Sequence, residues 1–216
     1  MNDRLSCIFN AIPPCEVFAD VACDHGYIAY EMIVSGKCKR ALVSDLSAKS
    51  LKKAEDLLAD HIKSGRVQSF VSDGFDNVPK TDSALVAGIG GRLTIDILAR
   101  AKEQDKLPET LVLQPMKHAS KVRLFAVEIG YKIEKDFTVR SDGQFYDIIV
   151  LKKGKDRLSK EEAEFGRTNL IERSAAFKYK IRYEIDKLHN YLESETMTDK
   201  TRVLMLKKIE RLKRYV

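Results

Sequence analysis

A short segment near the N-terminus combines carboxylates, an imidazole and a glycine in the pattern of a ligand-binding turn. It reads Asp20-Val21-Ala22-Cys23-Asp24-His25-Gly26-Tyr27. Glycine lets backbone N–H groups approach a ligand closely where a strand turns into a helix. A dinucleotide-binding turn reads G-x-G-x-x-G, whereas here only Gly26 is present, and Asp20 and Asp24 would repel a pyrophosphate. Because the same carboxylates suit a sulfonium and an ammonium group, the segment favours S-adenosylmethionine over NAD.

Two further acidic residues follow predicted strands. Asp45, with Leu46 beside it, ends the second strand, where a carboxylate can accept both ribose hydroxyls of a nucleoside. Capping of the next helix is an equal alternative for Asp45. After the third strand, Asp73 beside Gly74 can accept the adenine amino group while Phe75 flanks the ring. Ser-Asp-Gly is also typical of a polar turn, so this second assignment is weaker when taken alone.

A glycine-rich segment, Ala87-Gly88-Ile89-Gly90-Gly91, follows the fourth strand. Three glycines in four positions keep side chains away from the edge of the sheet, which leaves room for a planar substrate and exposes N–H donors. A flexible hinge is the alternative. Arg92 is interpreted either as a phosphate contact or as a surface residue.

The fifth strand ends in Gln114-Pro115-Met116. Gln114 can both donate and accept hydrogen bonds, which suits the edge of a nucleobase, and Met116 packs against a ring or fills the core. Of the four histidines only His25 falls in this constellation. No Ser-His-Asp order, metal-ligand cluster or phosphate-binding loop is visible, so no metal is expected.

Alternating strand and helix patterns over the first 151 residues predict the frame that positions these segments. The predicted strands are Val17–Ala22, Ala41–Asp45, Val67–Val71, Ser83–Ala87 and Thr110–Leu113. The predicted helices are Tyr27–Val34, Lys49–Lys63, Leu93–Lys102 and Ala119–Glu128, the last stopped by Gly130. This order predicts an α/β fold with a mostly parallel sheet, whose ligands bind at the carboxyl ends of the strands.

Two β-rich segments, Tyr131–Val139 and Gln144–Lys152, close this part of the chain around a Ser141-Asp142-Gly143 turn. A parallel α/β sheet that finishes in a strand hairpin is the outline of the class I methyltransferase (Rossmann-like) fold. A dinucleotide-binding fold would finish with another strand-helix unit instead. The ending therefore agrees with the ligand favoured by the first turn.

The charge of the chain is concentrated at its C-terminal end. The 216 residues carry a formal net charge of +6. Residues 152–216 hold 18 basic and 11 acidic residues, a net of +7, while residues 1–151 hold 20 and 21, a net of −1. A neutral body with a cationic arm suggests a polyanionic partner, with nucleic acid first and a membrane surface second; a solvated helix is the alternative.

Composition and local patterns place the chain among cytoplasmic globular proteins. With 44% hydrophobic residues it can form a core, but no uninterrupted apolar run exceeds four residues, so no membrane span is expected. The N-terminus lacks the apolar stretch of a signal peptide. The four cysteines form no C-x-x-C pair and are interpreted as reduced thiols.

Two narrow apolar seams run through the C-terminal segment. Phe177, Ile181, Ile185, Leu188 and Leu192 form one, and Met205, Ile209, Leu212 and Val216 form the other. Their spacing predicts two helices separated by a break at Ser194–Thr198, with Thr198 capping the second. The short break favours an antiparallel, coiled-coil-like hairpin. We therefore predict a catalytic domain over residues 1–153 and a basic helical hairpin over residues 154–216.

Taken together, these motifs resemble the bacterial tRNA (adenine(22)-N1)-methyltransferase family. Its members typically read D-x-G-x-D-H-A-Y, A-G-M-G-G and L-Q-P-N where this chain has the segments beginning at Asp20, Ala87 and Leu113. The strands around residues 142–149 and the Glu164-Phe165-Gly166 segment also look like the family. The chain departs from it at three positions: Ala22 replaces a glycine, Gly26 an alanine and Met116 an asparagine.

The resemblance implies a Rossmann-like catalytic domain, S-adenosylmethionine as methyl donor, and a C-terminal hairpin that binds tRNA. The residues expected beside the reacting atoms are Asp24, His25, Tyr27, Gln114 and Pro115. Those expected to bind the cofactor are Asp20, Ala22, Gly26, Asp45, Leu46, Asp73, Gly74, Ala87 and Gly88. Those expected to contact the target base are Ile89, Gly90, Gly91, Arg92 and Met116. Two alternatives stay open, namely a small-molecule methyltransferase and a non-catalytic RNA-binding protein on the same fold.

Overall fold

Seven strands form one mixed sheet at the centre of the molecule. The structure is a computed structural model that describes residues 3–193 and 198–216. The strands are β1 Cys15–Val21, β2 Cys38–Asp45, β3 Val67–Val71, β4 Ser83–Ala87, β5 Thr110–Gln114, β6 Tyr131–Ser141 and β7 Gln144–Lys153. Their order is β3-β2-β1-β4-β5-β7-β6. The first five are parallel and β7 runs antiparallel to β5 and β6, as the sequence predicts.

The chain reverses its direction of travel across the sheet between β1 and β4. From β1 it steps outward to β2 and β3, and it then returns to β4 on the other side of β1. A crevice opens at the carboxyl ends of strands at such a switch point, and ligands of open α/β sheets bind there. The loops after β1, β2 and β4 therefore converge on one place.

Ten helices accompany the sheet in the described part of the chain. They are α1 Asp3–Ala11, α2 Tyr27–Val34, α3 Ala48–Leu57, α4 Ala59–Lys63, α5 Gly91–Glu103, α6 Ala119–Glu128, α7 Lys160–Phe165, α8 Arg167–Glu172, α9 Ala175–Leu192 and α10 Asp199–Leu212. One apolar cluster packs α1, α2 and α3 on one face of the sheet, and a second packs α5 and α6 on the other. Within the described ranges, no helix is long and apolar enough to span a bilayer.

The predicted helix over Lys49–Lys63 is instead two helices. Leu58 has φ −98° and ψ 10°, which interrupts the helical backbone between α3 and α4. Its side chain is fully buried and lies against the turn at Gly26, where an added Cβ would come within 3.2 Å of the Leu58 Cδ1 atom. The interruption thus accompanies close packing of α3 against the first ligand-binding turn.

The hairpin that closes the sheet is connected by a two-residue turn. Ser141 pairs with Gln144, so only Asp142 and Gly143 lie outside the strands. Both have positive φ, 51° and 74°, the geometry that matches the twist of a tight hairpin. Because β7 is antiparallel to β5, this turn lies at the same edge of the sheet as the carboxyl ends of β1 and β4.

The C-terminal segment folds into four helices with a core of its own. That core contains Phe165 together with the buried residues of the first seam and with Ile209, Leu212 and Tyr215. Thr198 accepts a hydrogen bond from the Thr201 N–H, which confirms the predicted cap of α10. The rest of the predicted break, residues 194–197, lies outside the described residues. Val216 was expected in the second seam but is exposed, because a 3₁₀ turn over Lys213–Tyr215 buries Tyr215 instead.

A buried polar network joins these helices to the sheet. Arg123 of α6, fully buried, donates to Asp136 of β6 at 2.9 Å. The other Asp136 oxygen accepts from the Thr168 N–H at 2.9 Å, and Asn169 accepts from the Thr138 N–H at 3.0 Å. Buried charges are stable only when they are paired and hydrogen-bonded, so this network holds the helical segment in one orientation.

Candidate functional site

A cavity of about 730 Å³ opens where the sheet changes direction. Its wall comes from the loops that follow β1, β2, β3 and β4, and helix α1 closes one side. Of the predicted site residues, thirteen line it: Asp20, Ala22, Asp24, His25, Tyr27, Asp45, Leu46, Asp73, Gly74, Ala87, Gly88, Ile89 and Met116. The other six do not reach the wall: Gly26, Gly90, Gly91, Arg92, Gln114 and Pro115.

The turn after β1 is built from alternating left-handed residues. Ala22, Asp24 and Gly26 have φ values of 59°, 47° and 70°. Gly26 precedes α2 and packs so tightly against α3 that a Cβ would lie 2.9 Å from the Cβ of Ala54. Gly26 therefore shapes the turn by packing on α3, whereas residues 22–25 line the cavity. Ala22 adopts a conformation that costs an L-residue roughly 1–2 kcal/mol.

Asp20 is a buried carboxyl group in the cavity wall. It is 5% exposed, and its Oδ2 accepts a hydrogen bond from the Ala29 N–H at 3.3 Å. Burial raises the pKa of Asp20 to about 7, against the smaller lowering effect of the Ala29 hydrogen bond. A cation bound in the cavity would therefore favour the ionised form of Asp20.

Asp24 and Asp45 form the acidic rim with defined partners. The Asp24 carboxylate accepts from Lys53 Nζ at 2.9 Å and lies 2.7 Å from His25 Nδ1. The Lys53 hydrogen bond, followed by the charge of His25, holds the pKa of Asp24 below its usual range. Asp45 accepts from the Asp24 N–H at 3.2 Å and from the Ser47 N–H at 2.8 Å. It thus connects the two loops, while Ser47 caps α3.

His25 and Tyr27 form a stacked pair of rings that provides an aromatic surface at the mouth of the cavity. Their rings are parallel within 4°, with centroids 5.2 Å apart. Both side chains remain accessible, and both line the cavity. A planar base could pack on this surface beside the Asp24 carboxylate.

The turn after β3 differs from its prediction at Phe75. Asp73 does line the cavity, and it pairs with Arg100 at 2.8 Å. Phe75 is fully buried in the core on the α5 face, so it does not flank a ligand ring there. The reason is Gly74, whose φ of 67° and close packing on Ile97 direct the chain inward.

Some residues of the glycine-rich loop after β4 line the cavity, and others pack in the core or are exposed. Gly88, with φ 77°, lines the cavity and donates to the Gln114 carbonyl at 3.1 Å. A Cβ on Gly91 would lie 2.3 Å from the Lys117 carbonyl, so Gly91 is required by packing. Gly90 and Arg92 are exposed but do not line the cavity. Ile89 and Met116 reach the wall together, joined by a Met116 N–H to Ile89 carbonyl bond of 2.8 Å.

Gln114 and Pro115 are buried behind this wall. The Gln114 Oε1 accepts a hydrogen bond from Arg4 Nη1 at 2.7 Å, and its Nε2 faces the Met116 sulfur at 3.5 Å. The prediction that Gln114 meets a base edge is not supported by this orientation. Its amide instead connects Arg4 to Met116.

Ten lining residues were not among the predicted site residues, and two of them, Arg4 of α1 and Tyr146 of β7, bring a cation and an aromatic ring to the wall. The Arg4 guanidinium lies 5.2 Å from the centre of the Tyr146 ring. Tyr146 falls in the family-like segment over residues 142–149 but was given no role, and no motif marks Arg4, although the spacing of Leu5, Ile8 and Ile12 is that of an amphipathic helix and could have revealed α1. Among residues 3–193 and 198–216, no group of three or more His, Cys, Asp or Glu side chains could hold a metal ion.

Comparison with known proteins places this geometry in context. Residues 1–149 match the model of the family described as "Methyltransferase domain". A Mycoplasma pneumoniae protein named "Putative tRNA methyltransferase" is 30% identical over 161 residues, covering 72% of this chain and 73% of that protein. The tRNA (adenine(22)-N(1))-methyltransferase of Bacillus subtilis is 25% identical over 156 residues, covering 71% and 66%.

Solved structures extend the likeness to the whole chain. A Streptococcus pneumoniae protein, described as "a putative tRNA (m1A22) methyltransferase", superposes with a TM-score of 0.92 at 24% identity, covering 100% of this chain and 99% of that one. Its structure in complex with S-adenosyl-L-methionine gives a TM-score of 0.88 at 25% identity, with the same coverage. The likeness includes the C-terminal helices as well as the sheet.

Proposed function

The chain belongs to the bacterial tRNA (adenine(22)-N1)-methyltransferase family, and from this premise we propose that it methylates N1 of adenine 22 in tRNA. The observation that carries the proposal is a cavity at the switch point of the sheet that is lined by Asp20, Asp24, Asp45 and Asp73. A cationic methyl donor fits such a wall, whereas a pyrophosphate does not. We also propose residues 1–153 as the catalytic domain and residues 154–216 as the tRNA-binding hairpin.

The residues present fit S-adenosylmethionine by their chemistry. Asp45 ends β2 with an accessible carboxylate for the ribose hydroxyls, and Asp73 offers an acceptor for the adenine amino group. Asp20 balances the positive charge of the amino-acid end. When bound, the cofactor supplies an electrophilic methyl group on a positively charged sulfur. The role of this chain is to orient that group and to exclude water from it.

No strong general base is required for this reaction. Adenine N1 carries an in-plane lone pair and no proton, so it can attack a methyl group directly. The methylated adenine is cationic, and the Asp24 carboxylate, which keeps its negative charge well below neutral pH, stabilises that charge. The stacked rings of His25 and Tyr27 offer the π-face on which the base lies. Because N1 is on the Watson–Crick edge, the adenine must leave its base pair before it reaches the cavity.

The test is methylation of a defined tRNA transcript by the purified protein. Mass spectrometry of the digested product should detect 1-methyladenosine, and an adenine-to-guanine change at position 22 should abolish it. Methylation that persists in the changed transcript would assign a different target. Binding of the transcript with no methylation would favour a non-catalytic RNA-binding protein instead. A tRNA substrate also places the activity in the cytoplasm.

A further inference from the structure

A cluster of partly exposed aromatic rings lies where the β6–β7 hairpin meets α9. The ring of Phe145 lies 5.8 Å from that of Tyr179 and 5.9 Å from that of Tyr183. Tyr179 and Tyr183 are 47% and 56% exposed. The guanidinium of Arg140 covers the Tyr179 ring at 4.3 Å. Single exposed tyrosines are common, but three aromatic rings and an arginine at one place form a surface with a specific chemistry.

This cluster is adjacent to the cavity through one strand. Phe145 and Tyr146 are neighbours on β7, so their side chains point to opposite faces of the sheet. Tyr146 lines the cavity, while Phe145 contacts the tyrosines of α9. The proposed methylation site and the aromatic cluster therefore lie on opposite faces of the sheet, next to the same end of β7.

The cluster is also held in place. Lys180, between the two tyrosines in sequence, donates to Asp147 of β7 at 2.9 Å and 3.0 Å. Burial raises the pKa of Asp147, but the charges of Lys180 and Arg123 outweigh it and keep the pKa below its usual range. The Asp147 carboxylate thus stays ionised at neutral pH, and its ion pair with Lys180 fixes α9 against the sheet.

We propose that Tyr179 and Tyr183 stack an unpaired base of the tRNA next to the target adenine, while Arg140 contacts the backbone phosphate. This rests on the proposed function. The aromatic rings supply π-faces for a base, and the net charge of +7 in residues 152–216 complements a polyanion. A base held here would keep the strand open while its neighbour occupies the cavity.

The experiment measures the dissociation constant of a tRNA transcript for Tyr179→Ala and Tyr183→Ala, with Tyr→Phe partners at both positions. Loss of one stacked base predicts a weakening of roughly 5- to 150-fold for alanine. Phenylalanine should bind like the parent, because it keeps the ring. The slope of log Kd against log salt should not change, since no phosphate contact is lost. Both sites are half-exposed, so thermal melting should confirm an intact fold.

Tyr191→Ala is the matched control. Tyr191 is also exposed on α9, but it lies eight residues beyond Tyr183, about 12 Å along the helix, and its ring faces Lys187. Parental affinity of both alanine variants would overturn the proposal. So would equal losses for alanine and phenylalanine, or a change of oligomeric mass with unchanged tRNA binding, which would mark a protein contact.

The outcomes also separate this inference from the proposed function. Tyrosine-dependent tRNA binding without methyl transfer would overturn the proposed activity and leave the stacking surface standing. Methylation by the parent protein together with unchanged tRNA affinity in both alanine variants would overturn the stacking surface and leave the proposed activity standing. Failure of the parent protein to bind tRNA at all would remove both.

Discussion

The two ends of the sheet edge that carries the cavity differ in charge and in side-chain type. On the β1, β2 and β3 side, the loops present the carboxylates Asp20, Asp45 and Asp73. On the β7 and β6 side, the β-hairpin and α9 present Arg140 and exposed aromatic rings. The first set suits a small cation, and the second suits a polyanion with stacked bases.

Their separation explains how one protein can hold both charges. β7 lies three strands from β1 in the sheet, a distance of about 14 Å at the usual strand spacing. The Debye length at physiological ionic strength is about 8 Å, so exposed carboxylates on one side only weakly repel phosphates on the other. The two regions work together only if the helical segment keeps its place on the sheet.

The largest expected effect follows from disrupting the joint between these regions, the buried polar network that connects the C-terminal helices to the sheet. Arg123→Met leaves the buried Asp136 without its cation, which predicts a loss of about 3–5 kcal/mol in the free energy of unfolding. Urea denaturation measures it. Lys39→Met, which breaks the exposed pair with Glu16, should change stability by less than about 1 kcal/mol. Equal stability of the two variants would show that the joint does not depend on this charge pair.

Because this joint is buried, truncation is a poor way to separate the two regions. A chain cut near residue 155 loses Thr168 and Asn169, which bond to Asp136 and Thr138. The cut would also expose to water the surface that these helices cover, including Asp136 and Thr138, so it would change the stability of the fold together with tRNA binding. Changes in tRNA affinity are therefore better measured with point variants of the full chain.

The next-largest effect tests whether the acidic side binds the cofactor. Asp45→Ala should weaken S-adenosylmethionine binding by roughly 10- to 100-fold, the range for lost hydrogen bonds to a charged group. Calorimetric titration measures it, and tRNA affinity without cofactor should stay unchanged. Asp56→Ala is the control, because Asp56 is exposed on α3 and pairs with Lys52. Unchanged cofactor affinity in Asp45→Ala would remove this residue from the site.

A smaller effect concerns pH. The pKa of Asp20 is raised to about 7 by burial, so the unliganded protein loses stability as pH rises from about 4 to 7 and this carboxyl group must ionise. A bound cation favours the ionised form. Affinity for S-adenosylmethionine should therefore rise about tenfold between pH 6 and pH 8. The Asp20→Asn variant should lack this rise, and a parent protein with a flat profile would contradict the assignment.

The sequence predicts the acidic side better than the aromatic side, for a physical reason. Parallel strands bring their carboxyl ends to one edge, so residues that follow strands, such as Asp45 and Asp73, can be placed together from order alone. The direction of a side chain depends on the turn. Phe75 is buried because Gly74 bends the chain inward, and Gln114 faces Arg4 across 110 positions of sequence.

Long-range contacts account for what the patterns miss. The cavity is closed by α1, whose Arg4 lies over the Tyr146 ring of β7, and no local motif predicts this contact. The aromatic cluster likewise combines residues of the hairpin with residues of α9. Its tyrosines stand beside the apolar seam in sequence, and only the packing of α9 on the sheet brings them to Phe145.

The smallest effect lies in the turn after β1, within the acidic side. Ala22 has a φ of 59°, where the family pattern has glycine, and relief of this strain by Ala22→Gly is worth about 1–2 kcal/mol. Glycine also costs roughly 0.5–1 kcal/mol in chain entropy, so the net gain is about 1 kcal/mol or less. That corresponds to a rise in Tm of about 2–4 °C at most.

The control for this variant is Ala99→Gly, inside α5, where the same entropy loss applies without any strain to relieve. Thermal melting should therefore move in opposite directions for the two variants. If Ala22→Gly also lowers the Tm, the methyl group of Ala22 contributes packing that outweighs its backbone strain. The left-handed turn would then be stabilised locally by the packing of the Ala22 methyl group.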